Sequence, residues 1–319
     1  MSDYRFRDRL SAEFPSQVII DVTEVCNLAC IHCPHPTFKK SEHYAARYLD
    51  PALNKKAIDE VYEHGGGHTQ YVRYTSEGEP LIHPGIYDML DYAVQHSGAF
   101  VTLTTNGTIM NEKRIARLLE SGLHMIDISI DAFHAGTYAK IRVNGDLAAT
   151  RANVLQMLRM ARDNPNGARV VVSFVRQSEN WNEADEFKAF WESRGATVVL
   201  RNLHSAAGAV IPVANVMRAA QAATGKRTPC VYPWERIVLT PGGNLAFCPA
   251  DWTRGSTTVD YRTTTIKETW GGEFYAKLRD AHLKNEFSCH KFCGQCPDWA
   301  VTRWPGEGRA YADLVEEMK

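Results

Sequence analysis

Cys26, Cys30 and Cys33 lie in one short run, Val25-Cys-Asn-Leu-Ala-Cys-Ile-His-Cys-Pro34. A 4Fe–4S cluster takes four thiolates, one for each iron, so a loop that offers three leaves one iron open to another ligand. Such a cluster does chemistry rather than only carrying electrons. The competing reading is a structural zinc site completed by His32 or His35. Zinc, however, favours a closed tetrahedron built from two separated pairs of ligands, and here one compact loop holds three. A disulfide framework is the third reading. No apolar signal segment occupies the charged N-terminus and no run is long enough to span a bilayer, so the chain is expected to be cytoplasmic, with reduced thiols.

The other five cysteines are Cys230, Cys248, Cys289, Cys293 and Cys296, and none falls between residues 34 and 229. Two metal-binding regions separated by a cysteine-free body follow from that distribution. Cys230 and Cys248 flank the turn Pro241-Gly-Gly-Asn244, and the stretches Ile237–Thr240 and Asn244–Phe247 read as a β-hairpin. The run Ser288-Cys-His-Lys-Phe-Cys-Gly-Gln-Cys-Pro297 then forms a knuckle whose spacing suits an iron–sulfur cluster or zinc.

These groups need a scaffold, and 319 residues suffice for one large domain or one and a half. With a formal net charge of −1 the chain has no electrostatic case for nucleic acid, and membrane contact is equally unsupported. Short β-branched runs at Val18–Thr23, Tyr71–Ser76, Phe100–Thr105, Met125–Ile130, Ala168–Val175 and Thr197–Leu203 read as buried parallel strands. Between them, apolar residues three and four apart predict helices over Pro51–His64, Pro84–His96, Glu112–Glu120, Leu147–Arg162 and Glu183–Arg194. Asn111 and Asn182 read as N-caps, Pro84 as a first-turn residue, and Gly122 and Gly195 as helix ends. Alternating strands and helices imply an α/β parallel sheet, doubly wound or curled into a full or partial barrel, with functional groups at the carboxyl ends of the strands. The cysteine loop, Thr75-Ser76-Glu77-Gly78-Glu79-Pro80, Thr105-Asn106-Gly107, Ser129-Ile130-Asp131 and Arg201-Asn202-Leu203 all fall at that rim.

The three cysteines, the Glu77-Gly78-Glu79-Pro80 segment and the Ser129-Ile130-Asp131 strand end together resemble the radical S-adenosylmethionine (SAM) enzymes over residues 16–205. The resemblance implies a partial (β/α)6 barrel in which SAM completes the cluster held by Cys26, Cys30 and Cys33. It also implies that one electron cleaves SAM to a 5′-deoxyadenosyl radical, which takes hydrogen from a substrate. By the same resemblance Gly78 and Glu79 would hold the methionyl ammonium, Ser129 and Asp131 the ribose or carboxylate, and Arg142 the SAM carboxylate. Asn106 and Asn202 are further SAM-site candidates. The segment has Glu77 where the family commonly has glycine.

Residues 230–300 resemble the α+β auxiliary-cluster extension called SPASM or, in its shorter form, Twitch, joined by a connecting segment over 206–229 and followed by a tail over 301–319. The full SPASM pattern uses seven cysteines for two clusters. Five imply a single auxiliary 4Fe–4S cluster, with Cys230, Cys248, Cys293 and Cys296 as its ligands. Cys289 is then a spare thiol or, as in related epimerases, a catalytic hydrogen-atom donor. Tyr232, Trp234, Trp252, Trp270, Trp299, Trp304, Arg236 and Arg254 are expected to mix core with pocket, and Asp251 is a proton acceptor or an ordinary surface carboxylate.

Enzymes of this kind act on ribosomally made peptides or on carbohydrates and aminocyclitols. Peptide modifiers often carry a leader-binding domain of about eighty residues, enough for an independent fold, whereas only residues 1–15 precede the first strand region here. The expectation is therefore oxidation or epimerisation of a sugar or aminocyclitol, with an electron donor such as flavodoxin or ferredoxin. Peptide epimerisation or crosslinking is the alternative, and a non-enzymatic metal-binding protein the remote one.

Overall fold

The computed structural model describes residues 10–75, 77–164, 167–224, 227–302, 314, 315 and 317. Ser76 and Trp304 lie outside the described residues. Six strands, β1 (Gln17–Asp21), β2 (Tyr71–Thr75), β3 (Phe100–Thr105), β4 (Met125–Ser129), β5 (Arg169–Arg176) and β6 (Thr197–Asn202), pair parallel in chain order. Around them run α1 (His35–Phe38), α2 (Pro51–His64), α3 (Ile86–His96), α4 (Glu112–Glu120), α5 (Ala135–Ile141), α6 (Leu147–Arg162) and α7 (Ala184–Glu192). The helix ends have local causes. Asp50 accepts from the Ala52 N–H ahead of Pro51, Asn111 from Arg114 N–H and Asp146 from Ala149 N–H. Asn182 differs from expectation. It falls inside a 3-10 turn, Trp181–Glu183, so that α7 starts later and has no side-chain cap.

The two faces of the sheet have opposite character, as a two-residue period allows. Val18, Ile20, Val72, Tyr74, Val101, Leu103, Ile126, Ile128, Val172 and Phe174 form one buried core with the helices. The alternate positions, Asp21, Arg73, Thr104, Asp127, Ser129, Ser173 and Arg201, make the inward face of a partial barrel polar. At the opposite end from the cysteine rim that face turns apolar, where Tyr71, Met125, Val171 and Val199 pack with Leu314 and Val315.

The chain then continues through α8 (Ile211–Thr224) and α9 (Tyr232–Glu235) into β7 (Arg236–Leu239), β8 (Asn244–Ala246) and β9 (Thr257–Asp260), followed by α10 (Ile266–Gly271), α11 (Glu273–Lys284) and α12 (Lys291–Gln295). The predicted hairpin is β7–β8, and it does not stand apart. β7 pairs parallel with β1, Gln17 opposite Arg236, so one nine-stranded sheet runs β6-β5-β4-β3-β2-β1-β7-β8-β9 through both halves. Covering the β1 edge in this way removes an open row of backbone donors and acceptors. Among the described residues no helix is long and apolar enough to cross a membrane.

Candidate active site

The cysteine loop leaves β1 and is clamped from two sides. Gly78 N–H donates to Thr23 O at 3.0 Å and Glu79 N–H to Val25 O at 2.8 Å, while Ala29 N–H and Ile31 N–H donate to Val143 O and Ile141 O at the C-terminal end of α5. Gly78 is required by this approach, because a Cβ there would sit 2.1 Å from Val25 O. The loop forms one wall of a cavity shared with Thr75, Glu77, Gly78, Glu79, Thr104, Asn106, Ser129 and Arg142. Burial pushes the Cys26 thiol up to about 11 and the Cys33 thiol up to about 12, so loading metal must displace their protons. His32 lines the same wall, and burial pushes it down to about 4. His35 is engaged elsewhere, its Nε2 lying 2.8 Å from Glu24 O.

Gly78, Glu79, Asn106, Ser129 and Arg142 thus meet at the cavity, but two of their side chains also tie the framework. Glu79 accepts from Thr105 Oγ1 (2.6 Å), Asn106 N–H (2.7 Å) and Leu81 N–H (3.1 Å), which leaves its carboxylate a brace between β2 and β3. Asn106 Nδ2 donates to Asn27 Oδ1 in the cysteine loop at 2.9 Å. Asp131 and Asn202 are placed otherwise than expected. Asp131 is fully buried behind the wall in a left-handed conformation (φ 64°), paired with Arg142 Nε at 2.8 Å and accepting from Val175 N–H at 2.7 Å, so it holds the arginine rather than a ligand. Asn202 is exposed at the end of edge strand β6.

Sequence reasoning missed the role of Glu77. Its carboxylate, on the cavity wall, takes a two-pronged contact from Arg254 (2.6 and 2.9 Å), which also reaches Glu24 at 2.8 Å. Burial lifts Glu77 to about 7 against the pull of Arg254. Trp252 docks beside this link, edge-on to His35 and Phe38. The loop after Cys248 therefore seats the C-terminal half on the active cavity. Only the unusual glutamate at position 77 signalled this.

A second cavity is walled by Cys230, Cys248, Cys293 and Cys296 with Tyr232, Phe247, Phe292, Trp299, Arg227 and His282. Burial raises all four thiols, Cys230 to about 11 and Cys296 to about 12. Arg227 supplies a cation beside them and donates to Cys293 O at 2.8 Å. Among the described residues no three His, Cys, Asp or Glu side chains converge on a single ion position. The cysteines instead ring cavities, which suits clusters whose irons take one thiolate each. Cys289, the hydrogen-donor candidate, is exposed and lines neither cavity. Asp251 is buried and accepts from Thr253 and Ser256 N–H groups at 2.8 and 2.6 Å, so it folds its loop rather than serving as a proton acceptor or a surface charge. Trp234 and Trp270 are core, and Arg236 pairs with Glu235.

The family model of the radical SAM superfamily matches residues 20–190, more than half of the chain. The chain belongs to the radical SAM superfamily. A second model, the SPASM iron–sulfur cluster-binding domain, matches residues 230–297. Together these two domains imply a SAM-binding 4Fe–4S cluster, an auxiliary cluster and SAM, and the two cysteine-walled cavities fit them. Among radical SAM relatives, the mycofactocin maturase MftC of Mycobacterium ulcerans is 29% identical over 57% of this chain and 46% of its own length. An AdoMet-dependent heme synthase of Methanosarcina barkeri is 30% identical over 46% of this chain and 40% of its own. The chain thus spans less than half the length of these curated relatives. In fold it is similar to BtrN in complex with AdoMet and 2-DOIA (TM-score 0.58, 18% identity, 88% of this chain and 92% of that one). It is also similar to Streptococcus suis SuiB bound to precursor peptide SuiA (TM-score 0.66, 14% identity, 95% and 73%).

Proposed function

We propose that this radical SAM protein takes a hydrogen atom from a hydroxyl-bearing carbon of a carbohydrate or aminocyclitol and oxidises that carbon to a carbonyl. The observation that carries the reading is the polar inward face next to the three cysteines. Thr104 and Ser129 on that face line the cavity with Thr75, Glu77 and Asn106, and these side chains offer donors and acceptors suited to a compact substrate dense in hydroxyl and amino groups. When bound between Cys26, Cys30 and Cys33, a cluster with SAM would supply the hydrogen-abstracting radical chemistry, and a cluster held by Cys230, Cys248, Cys293 and Cys296 would supply an acceptor for the second electron. Gly78 keeps the cysteine loop against the β2 turn, Arg142 presents a cation beside Cys30, and Glu77, lifted to about 7, takes the hydroxyl proton on its carboxylate. That Cys289 is exposed and does not line this cavity supports oxidation over epimerisation, because the other seven cysteines line the two cluster walls.

Peptide modification is the second reading, favoured by the maturase among the relatives and by the likeness to SuiB. Anaerobically reconstituted, reduced protein should be incubated with SAM and carbon-deuterated sugars, aminocyclitols or peptides. The expected result is deuterium in 5′-deoxyadenosine and a product lighter by two hydrogens with a sugar or aminocyclitol. Transfer from peptides alone would overturn the substrate class, and absence of SAM cleavage with both clusters assembled would overturn the enzymatic reading.

A further inference from the structure

His282 lies on α11 and reaches the auxiliary cavity from the core side. Tyr275, Leu278, Ala281 and His282 form the buried stripe of that helix, and His282 is only 3% exposed. Its two ring nitrogens are not equivalent. Nδ1 accepts the backbone N–H of Cys230 at 3.3 Å, so Nδ1 presents its lone pair and the ring proton sits on Nε2. That Nε2–H is buried and has no hydrogen-bond partner among the described residues. Trp234 and Phe287 pack against the ring edge-on, and neither offers a lone pair on its aromatic face. A buried donor without an acceptor is costly, and such a group calls for a partner that is not a protein atom. The ring lines the cavity walled by Cys230, Cys248, Cys293 and Cys296.

We infer that His282 is a positioning residue for the auxiliary iron–sulfur cluster, donating its Nε2–H to a cluster sulfide or thiolate sulfur. It is not an iron ligand, because ligation through Nε2 would need the lone pair there and a proton on Nδ1, where the Cys230 N–H already points. Hydrogen bonds to sulfur stabilise the more negative, reduced cluster and raise its potential. His282 thereby ties one fixed backbone group, Cys230 N–H, to the electron affinity of the cluster that its own thiolate holds. The inference rests on the assignment of the auxiliary cluster to these four cysteines, which loss of auxiliary iron in Cys248→Ala checks separately.

The test is an anaerobic redox titration, followed by electron paramagnetic resonance, of the reconstituted protein and of His282→Asn and His282→Gln. Asparagine can still accept from Cys230 N–H but is too short to reach the Nε2 position, whereas the glutamine amide extends to it. The auxiliary midpoint potential is expected to fall in His282→Asn and to recover in His282→Gln, with iron content unchanged in both. An unchanged potential in His282→Asn, or loss of auxiliary iron from both variants, overturns the assignment. Should His282→Asn fail to fold, pulsed resonance on the wild-type protein with 15N-histidine decides. A coupling from the imidazole nitrogen to the reduced auxiliary cluster supports the hydrogen bond, and its absence overturns it.

Discussion

Gly78 and Val25 show how a single side chain governs the first cluster. The Glu77–Pro80 turn carries the cysteine loop on two backbone hydrogen bonds, and a methyl group at Gly78 would collide with peptide atoms rather than a flexible tip. Gly78→Ala is therefore expected to displace the loop and to remove the iron it holds, about four atoms per chain, while the auxiliary iron stays. Iron and sulfide analysis of the reconstituted variant checks this, and full loading would refute it. The Arg142–Asp131 pair teaches a different lesson about charge. Both side chains are buried, so Asp131 neutralises the arginine in place, and either residue left alone would be an uncompensated buried charge. No spacing rule marks Asp131 as a holder rather than a ligand, because its partner is chosen by the fold.

At the scale of elements, Pro51–His64, Glu112–Glu120 and Leu147–Arg162 are readable to the residue, since each combines an apolar stripe with a local start or stop signal. The six barrel strands are legible within two residues for the same reason, and so is the rim at their carboxyl ends. The parallel pairing of β7 with β1 leaves no such trace, because it depends on residues more than 200 positions apart. The four cysteines that wall the second cavity are the set the family resemblance implies, while Cys289, between α11 and α12, is exposed and lines neither cavity. Leu314 and Val315 are equally silent in sequence, yet they fill the floor of the barrel against Tyr71, Met125, Val171 and Val199. Deleting residues 314–319 is expected to cost about 3–5 kcal/mol from lost apolar burial. Urea unfolding of the truncated chain measures it, and an unaltered midpoint would show that the floor closes without them.

For the whole molecule, one sheet and one core join the two metal regions, and Arg254 and Trp252 lock the C-terminal half over the active cavity. A fragment ending at residue 229 would leave β1 an open edge and uncover Ile19, which packs with Val238 and Ala246. It is expected to aggregate, and a monodisperse, folded fragment in size-exclusion chromatography would contradict this. The same pairing also imposes a timetable. β1 is made well before its neighbour β7, which is translated some 220 residues later, an interval of about 10–40 s at ordinary ribosomal speeds. Throughout that interval the nascent barrel presents a bare flank to solvent or to whatever chaperone attends it, so the moment of greatest vulnerability for this protein falls during its synthesis.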